Sequence, residues 1–135
     1  SLPRAERFMT EDAVLVVVAY GTAARIAKGA IKALREQGLR VGLFRPITLY
    51  PYPEKLLRDM SRTARAFLVF EMSTGQMVED VRLSLEGRGH VHFYGRPGGI
   101  IPTPDEVSKV LHTLYRRERL GEPSPEKEAS HASTS

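Results

Sequence analysis

The spacing of apolar residues changes several times along this chain, and each change marks an element. Residues 13–19 are apolar at every position and rich in Val, the pattern of a strand buried on both faces in a parallel sheet. From residue 23 the period becomes helical. Ala23, Ile26, Ala27, Ala30, Ile31 and Leu34 form one stripe, while Arg25, Lys28, Lys32, Arg35 and Glu36 point away. Gly21 permits a tight exit from the strand, Thr22 is the expected cap of the helix, and Gly38 ends it. The small Ala side chains imply that this helix packs close to the sheet.

The alternation continues to the end of the patterned region. Residues 40–44, RVGLF, predict a second strand. The three prolines of residues 45–53 exclude a long regular element there, and Pro53 suits the first position of a short helix with Leu56, Leu57 and Met60 inward. Residues 66–71, AFLVFE, predict a third strand that ends on an acid. Residues 75–86 read as a helix with Met77, Val78, Val81 and Leu85 on its inner face. Glu79, Arg82 and Glu86 are spaced there for surface ion pairs. Residues 91–94 form a short fourth strand beside His90 and His92. After the glycine-rich residues 95–101, Thr103-Pro104-Asp105-Glu106 combines an N-cap, a proline at the first helical position and the Glu of a capping box. Val107, Val110, Leu111 and Leu114 line the inner face of the helix it opens. Residues 7–9 carry only a weak edge-strand pattern. The whole predicts a three-layer α/β/α sandwich with right-handed crossovers around a mainly parallel sheet. The domain is expected to occupy residues 1–118. Residues 119–135 form a polar tail, expected to be disordered unless another surface holds it.

Composition narrows the function classes. A chain of 135 residues holds one domain. The formal charge of +4 is spread along the chain without a dense basic run, so no nucleic-acid partner is expected. With no Cys, this chain can supply no disulfide, thiolate metal site, Cys nucleophile or cluster ligand, which fits a reducing cytoplasm. The longest apolar run is far too short for a membrane span and no signal-peptide pattern opens the chain, so a soluble cytoplasmic protein is expected. The missing initiating Met fits a trimmed chain, a piece of something longer, or a residual cloning Ser.

The candidate chemistry lies at strand ends. The turn at Gly21 and Thr22, where a strand's carboxyl end meets a helix amino terminus, is a weak anion-site candidate; it lacks the dinucleotide fingerprint and the Walker Lys-Ser/Thr pair. Glu71 ends the third strand, where α/β ligand crevices form, and reads either as a brace for the following loop or as an interface group. The neighbouring segment Ser73-Thr74-Gly75-Gln76 is a compact helix start. Arg45 can fork onto a carboxylate or phosphate, and a structural pair with Glu71 is the plainer expectation. Arg96 sits beside Gly98 and Gly99, whose backbone suits either a tight turn or a subunit contact. No metal site is read from His90, His92, His112 and His131, and Ser73 lacks a nucleophile elbow.

The segments YGTAARIAKGAIKALREQG, GLFRPITLYPYP, VFEMSTGQMVEDVRLSLEG and YGRPGGIIPTPDEV together carry a resemblance. The chain resembles the transketolase carboxyl-terminal-like domain of the alpha subunit of 2-oxoacid:ferredoxin oxidoreductases, of the 2-oxoglutarate and branched-chain 2-oxoacid type, over roughly residues 12–115. The resemblance implies a five-stranded sheet ordered edge, second, first, third, fourth, with residues 7–9 as an antiparallel edge. For the intact complex it implies oxidative decarboxylation of a 2-oxoacid to an acyl-CoA, with thiamine diphosphate, magnesium, an iron–sulfur cluster and coenzyme A as cofactors. Its partners there are the pyrimidine-binding alpha domain, the beta subunit and ferredoxin, with a homodimer as a further expectation. For this chain it implies a non-catalytic assembly role, with no cofactor and no catalytic residue of its own. Arg45, Glu71, Gln76, Arg96, Gly98 and Gly99 are the interface candidates. The equivalent domain of a transketolase or of a 2-oxoacid dehydrogenase beta subunit, and an independent anion- or nucleotide-binding module, are the alternatives.

Overall fold

The computed structural model describes residues 2–48, 51–72, 75–96 and 100–124. Strands and helices alternate after an initial edge strand: β1 (Ala5–Phe8), β2 (Leu15–Val18), α1 (Gly21–Glu36), β3 (Val41–Pro46), α2 (Glu54–Met60), β4 (Ala66–Glu71), α3 (Gln76–Leu85), β5 (His90–Gly95) and α4 (Pro104–Arg117). The sheet order is β1-β3-β2-β4-β5. β1 runs antiparallel to β3, and every other pairing is parallel. This is the five-stranded arrangement with one antiparallel amino-terminal edge, the transketolase carboxyl-terminal-like fold.

Strand alternation divides the core into two layers. Leu15, Val17, Leu43, Leu68 and Phe70 face α1 and α4, while Val16, Val18, Phe44, Phe67 and Val69 face α2 and α3. β2 and β4 are buried at every position, which explains their unbroken apolar runs. The four Ala of α1 named in its buried face, Ala23, Ala24, Ala27 and Ala30, let that helix lie close over the sheet. α4 crosses it beside Gly29. A Cβ built at Gly29 meets Pro104 Cβ at 3.5 Å, an ordinary contact. Gly29→Ala is therefore expected to raise stability by about 0.5–1 kcal/mol through the lost backbone entropy of glycine. A higher urea midpoint with unchanged slope is the readout.

Several local expectations change. α1 starts at Gly21, in the left-handed region at φ 59°, with Tyr20 as N-cap and no side-chain cap. Thr22 is therefore inside the helix and does not cap it. Pro53 precedes α2 as its N-cap residue. Thr103 does cap α4, its Oγ1 accepting from the Glu106 amide at 3.1 Å, but the Glu106 carboxylate turns to Arg96 Nη2 at 2.6 Å and leaves the box half built. Glu79 pairs with Arg82 at 3.3 Å, whereas Glu86 takes Arg58 at 2.8 Å from α2. Arg35 does not point into solvent. Its Nε donates to Val41 O at 2.9 Å and Nη2 to Met9 O at 2.6 Å, while both terminal nitrogens grip Asp12. One guanidinium thus ties α1, β3 and the β1–β2 loop together, and its hydrogen bonds hold the Asp12 carboxyl below the usual range.

Packing continues past residue 118. Leu120 is 1% exposed, and Arg65 Nη2 donates to the carbonyls of Leu120 and Glu122 at 2.9 and 2.7 Å. Residues 125–135 lie outside the described residues.

Candidate functional site

The chain leaves β2 through α1 toward β3 and leaves β4 through α3 toward β5, in opposite directions across the sheet. The carboxyl ends of β2 and β4 therefore form the topological switch point, where open α/β sheets make their ligand crevices. A crevice of about 210 Å³ lies there, lined by Tyr20, Gly21, Thr22, Ala23, Phe70, Glu71 and Met72. The folding of the chain thus brings together two candidates that are 50 residues apart in sequence, the Gly21–Thr22 turn and Glu71.

Glu71 is 2% exposed, and both its carboxylate oxygens accept from the Met77 amide at 3.1 Å. Met77 is the second residue of α3, whose N-cap is Gly75 at φ 98° with no side-chain cap of its own. A buried carboxylate from β4 supplies the missing cap and meets the positive end of the helix dipole. Bracing is thus a role the geometry gives this residue directly.

The pairing of Arg45 with Glu71 does not occur as expected. β2 lies between β3 and β4, and Arg45 Nη1 instead reaches Glu6 Oε2 on the neighbouring edge strand at 2.8 Å. Arg96 follows β5; it donates to Glu106 at 2.6 Å and to the Tyr94 hydroxyl at 3.3 Å. Arg45, Glu71 and Arg96 all stand along the carboxyl edge of the sheet. The backbone of Gln76 opens α3. Gly98, Gly99, Ser73, Thr74 and the side chain of Gln76 lie outside the described residues.

A cluster that pattern reading missed joins β5 to the end of α4. His90 Nδ1 and His92 Nε2 contact the two oxygens of Glu118 at 2.8 and 2.9 Å. No sequence spacing signals it, because the partners are 26 and 28 residues apart. Burial raises the Glu118 pKa, but the hydrogen bonds and charges of the two histidines outweigh it, and the carboxyl is held below its ordinary 4.5. The sign follows from that depression. The stabilisation is complete above about pH 4.5 and is lost as pH falls through the lower folded value. Glu118→Gln should flatten that part of the acid-unfolding profile, measured as urea midpoints between about pH 6 and pH 3, leaving the part due to Asp12.

A larger cleft of about 690 Å³ opens at the opposite, amino edge and is lined in part by Arg7, Thr10, Asp12, Arg35 and Arg62. Its central guanidinium, Arg35, is already committed to the internal network described above. Among the described residues no group of three His, Cys, Asp or Glu side chains could hold a metal ion, and no helix is long and apolar enough to cross a membrane.

Comparison with known proteins decides the family. The family model described as pyruvate:ferredoxin oxidoreductase core domain II matches residues 13–107. The chain belongs to that family. Its core-domain-II sequence is 42% identical over 108 residues to ketoisovalerate oxidoreductase subunit VorB of Methanothermobacter marburgensis, covering 79% of this chain and 30% of that protein. It is 36% identical over 103 residues to 2-oxoglutarate synthase subunit KorA of the same organism, covering 76% of this chain and 28% of that one. The chain thus spans under a third of the length of these relatives. The same core-domain-II fold recurs in a 2-oxoglutarate:ferredoxin oxidoreductase from Magnetococcus marinus, solved with 2-oxoglutarate, coenzyme A and succinyl-CoA bound. That match has TM-score 0.72 and 21% identity over 82% of this chain and 19% of that one. A split-gene transketolase, an inactive beta4 tetramer, matches with TM-score 0.67 and 20% identity, over 82% of this chain and 40% of that one.

Proposed function

We propose that this chain is the non-catalytic assembly domain of the alpha subunit of a thiamine diphosphate-dependent 2-oxoacid:ferredoxin oxidoreductase. The observation that carries this reading is the 42% identity to VorB sustained over 108 residues, with KorA subunits matching much of the same stretch. The switch-point crevice supports it from the chemical side. Its carboxylate, Glu71, caps α3 and is drawn away from proton transfer or metal binding.

The described residues lack a three-ligand group, and without Cys the chain can offer no thiolate to an iron–sulfur cluster. In this reading thiamine diphosphate, magnesium, the cluster and coenzyme A are held by other parts of the complex, and no chemical step is assigned to this domain. Its work is to hold a rigid surface against the pyrimidine-binding alpha domain and the beta subunit, in the cytoplasm, where ferredoxin takes the electrons. The 135-residue chain alone should turn over no 2-oxoacid.

Reconstitution tests this. The chain should copurify with the remainder of an alpha subunit and its beta subunit and raise 2-oxoacid-dependent ferredoxin reduction. A complete, active complex that forms without it would overturn the assignment.

A further inference from the structure

We infer that β5 is a self-pairing edge: two copies of this chain join β5 to β5, antiparallel about a two-fold axis, into one continuous sheet with twice the five strands of a single copy. The main chain of β5 carries this pairing, whichever complex the domain serves. β5 is bonded to β4 on one side and ends the sheet on the other. The His90 amide donates to Arg65 O and the Arg96 amide to Glu71 O, both at 3.1 Å. Main-chain groups alternate in direction along a strand. His90, His92, Tyr94 and Arg96 therefore turn theirs to β4, and Val91, Phe93 and Gly95 turn theirs outward. Among the described residues nothing bonds the outward N–H and C=O groups of those three.

The two edges of the sheet differ in how they are protected. Proteins blunt a free edge with short strands, charged side chains or proline. β1 has four residues and exposes Glu6 and Arg7. β5 has six, HVHFYG, with no Pro, Lys, Arg, Asp or Glu among them. Phe93, at the middle of the outward set, is 42% exposed. It lies against Gly75 at the start of α3, where a Cβ would stand 3.2 Å from its ring. Val91, two residues earlier, packs into the same α2–α3 layer.

The occupant follows from register, because β5 is its own complement. A two-fold axis perpendicular to the sheet keeps each face on its own side, so opposed residues must share a face. Hydrogen-bonded pairs must also both turn their main chain outward. Setting Phe93 opposite Phe93 of the second copy meets both conditions and uses every outward group, with Val91 of each copy opposite Gly95 of the other. The two exposed Phe93 side chains then meet on the α3 face, about 5.5 Å apart at Cα, and leave water together. His92 stands opposite Tyr94. His90 stands opposite Arg96, and each of these is already held by an acid of its own chain, Glu118 and Glu106. The register thus opposes no unpaired like charges.

The test is sedimentation equilibrium of the 135-residue chain over a concentration series, where the mass should rise from one chain to two. Phe93→Asp and Phe93→Lys should each weaken the dimer at least about tenfold, because like charges then face each other across the axis. An equimolar mixture of the two variants should regain it, since opposite charges then meet. Leu2→Asp, ahead of the β1 edge, should leave it unchanged. Circular dichroism shows whether each variant is folded. Hydrogen exchange on the wild-type chain gives a readout free of mutation: the amides of Val91, Phe93 and Gly95 should slow as concentration rises, and those of β1 should not. A chain that stays monomeric throughout, a dimer indifferent to both Phe93 substitutions, or a mixture that fails to reassociate overturns the pairing. So does slowing of the three β5 amides only when a different protein is added, which would give the edge to a foreign strand. The alpha-subunit assignment is tested separately by reconstitution and stands or falls on that result.

Discussion

Gly42→Ala should lower the stability of this domain by about 3 kcal/mol, at the upper end of ordinary overpacking costs. A Cβ built at Gly42 would stand 2.6 Å from Met9 O, 3.0 Å from Thr10 Cα and 3.1 Å from Ala13 Cβ. The first two are backbone atoms, and neither can swing aside as a side-chain end would. The β1–β2 loop is also held from the other side, because Arg35 binds Met9 O and Asp12. Relief would require moving the loop, breaking those bonds and disturbing β3, where Gly42 lies opposite Val16. Urea unfolding should show the midpoint falling with little change in slope. A loss under about 1 kcal/mol would mean that the loop gives way more easily than its bonds indicate.

Glu71→Ala is expected to cost about 2–3 kcal/mol, the range for losing a buried charge-assisted bond and stranding its donor. The Met77 amide would lose its acceptor, and α3, which has no side-chain cap of its own, would begin uncapped. Glu71→Gln keeps an acceptor oxygen and loses the favourable charge at the helix amino terminus, so about 1 kcal/mol is expected there. The ordering of the two variants separates capping from simple volume. Hydrogen exchange should localise the effect, with the Met77 amide accelerated more than amides in β2. Equal losses in both variants would show that charge, not the hydrogen bond, is what matters at this position.

β4 is delimited by its own pattern, because five apolar residues sit between Arg65 and the acidic Glu71. The Thr103 cap was legible because its mechanism is local, operating across three residues. β1 was nearly invisible: an edge strand with exposed Glu6 and Arg7 needs no strong period, and only the family resemblance raised it. Strands adjacent in sequence need not be adjacent in space. Arg45 and Glu71 end consecutive parallel strands, yet β2 lies between them. The cap of α3 comes from the strand before it, and the cap of α1 expected at Thr22 is absent. The Glu118 cluster joins elements that no periodicity links. At the candidate site, residue chemistry was visible in the sequence, but which charges are already paired became clear only once the elements were packed.

The central position of β2 has a consequence for the growing chain. β2 is bonded to β3 on one side and to β4 on the other, with Leu15 opposite both Val41 and Ala66. Its second partner therefore leaves the ribosome about 50 residues after β2 itself, and long-range parallel pairing of this kind is slow to form. Until then the four apolar residues of β2 present an open edge, a template to which other nascent chains can add. The strand that anchors the finished sheet is its most vulnerable border for as long as synthesis takes to deliver β4.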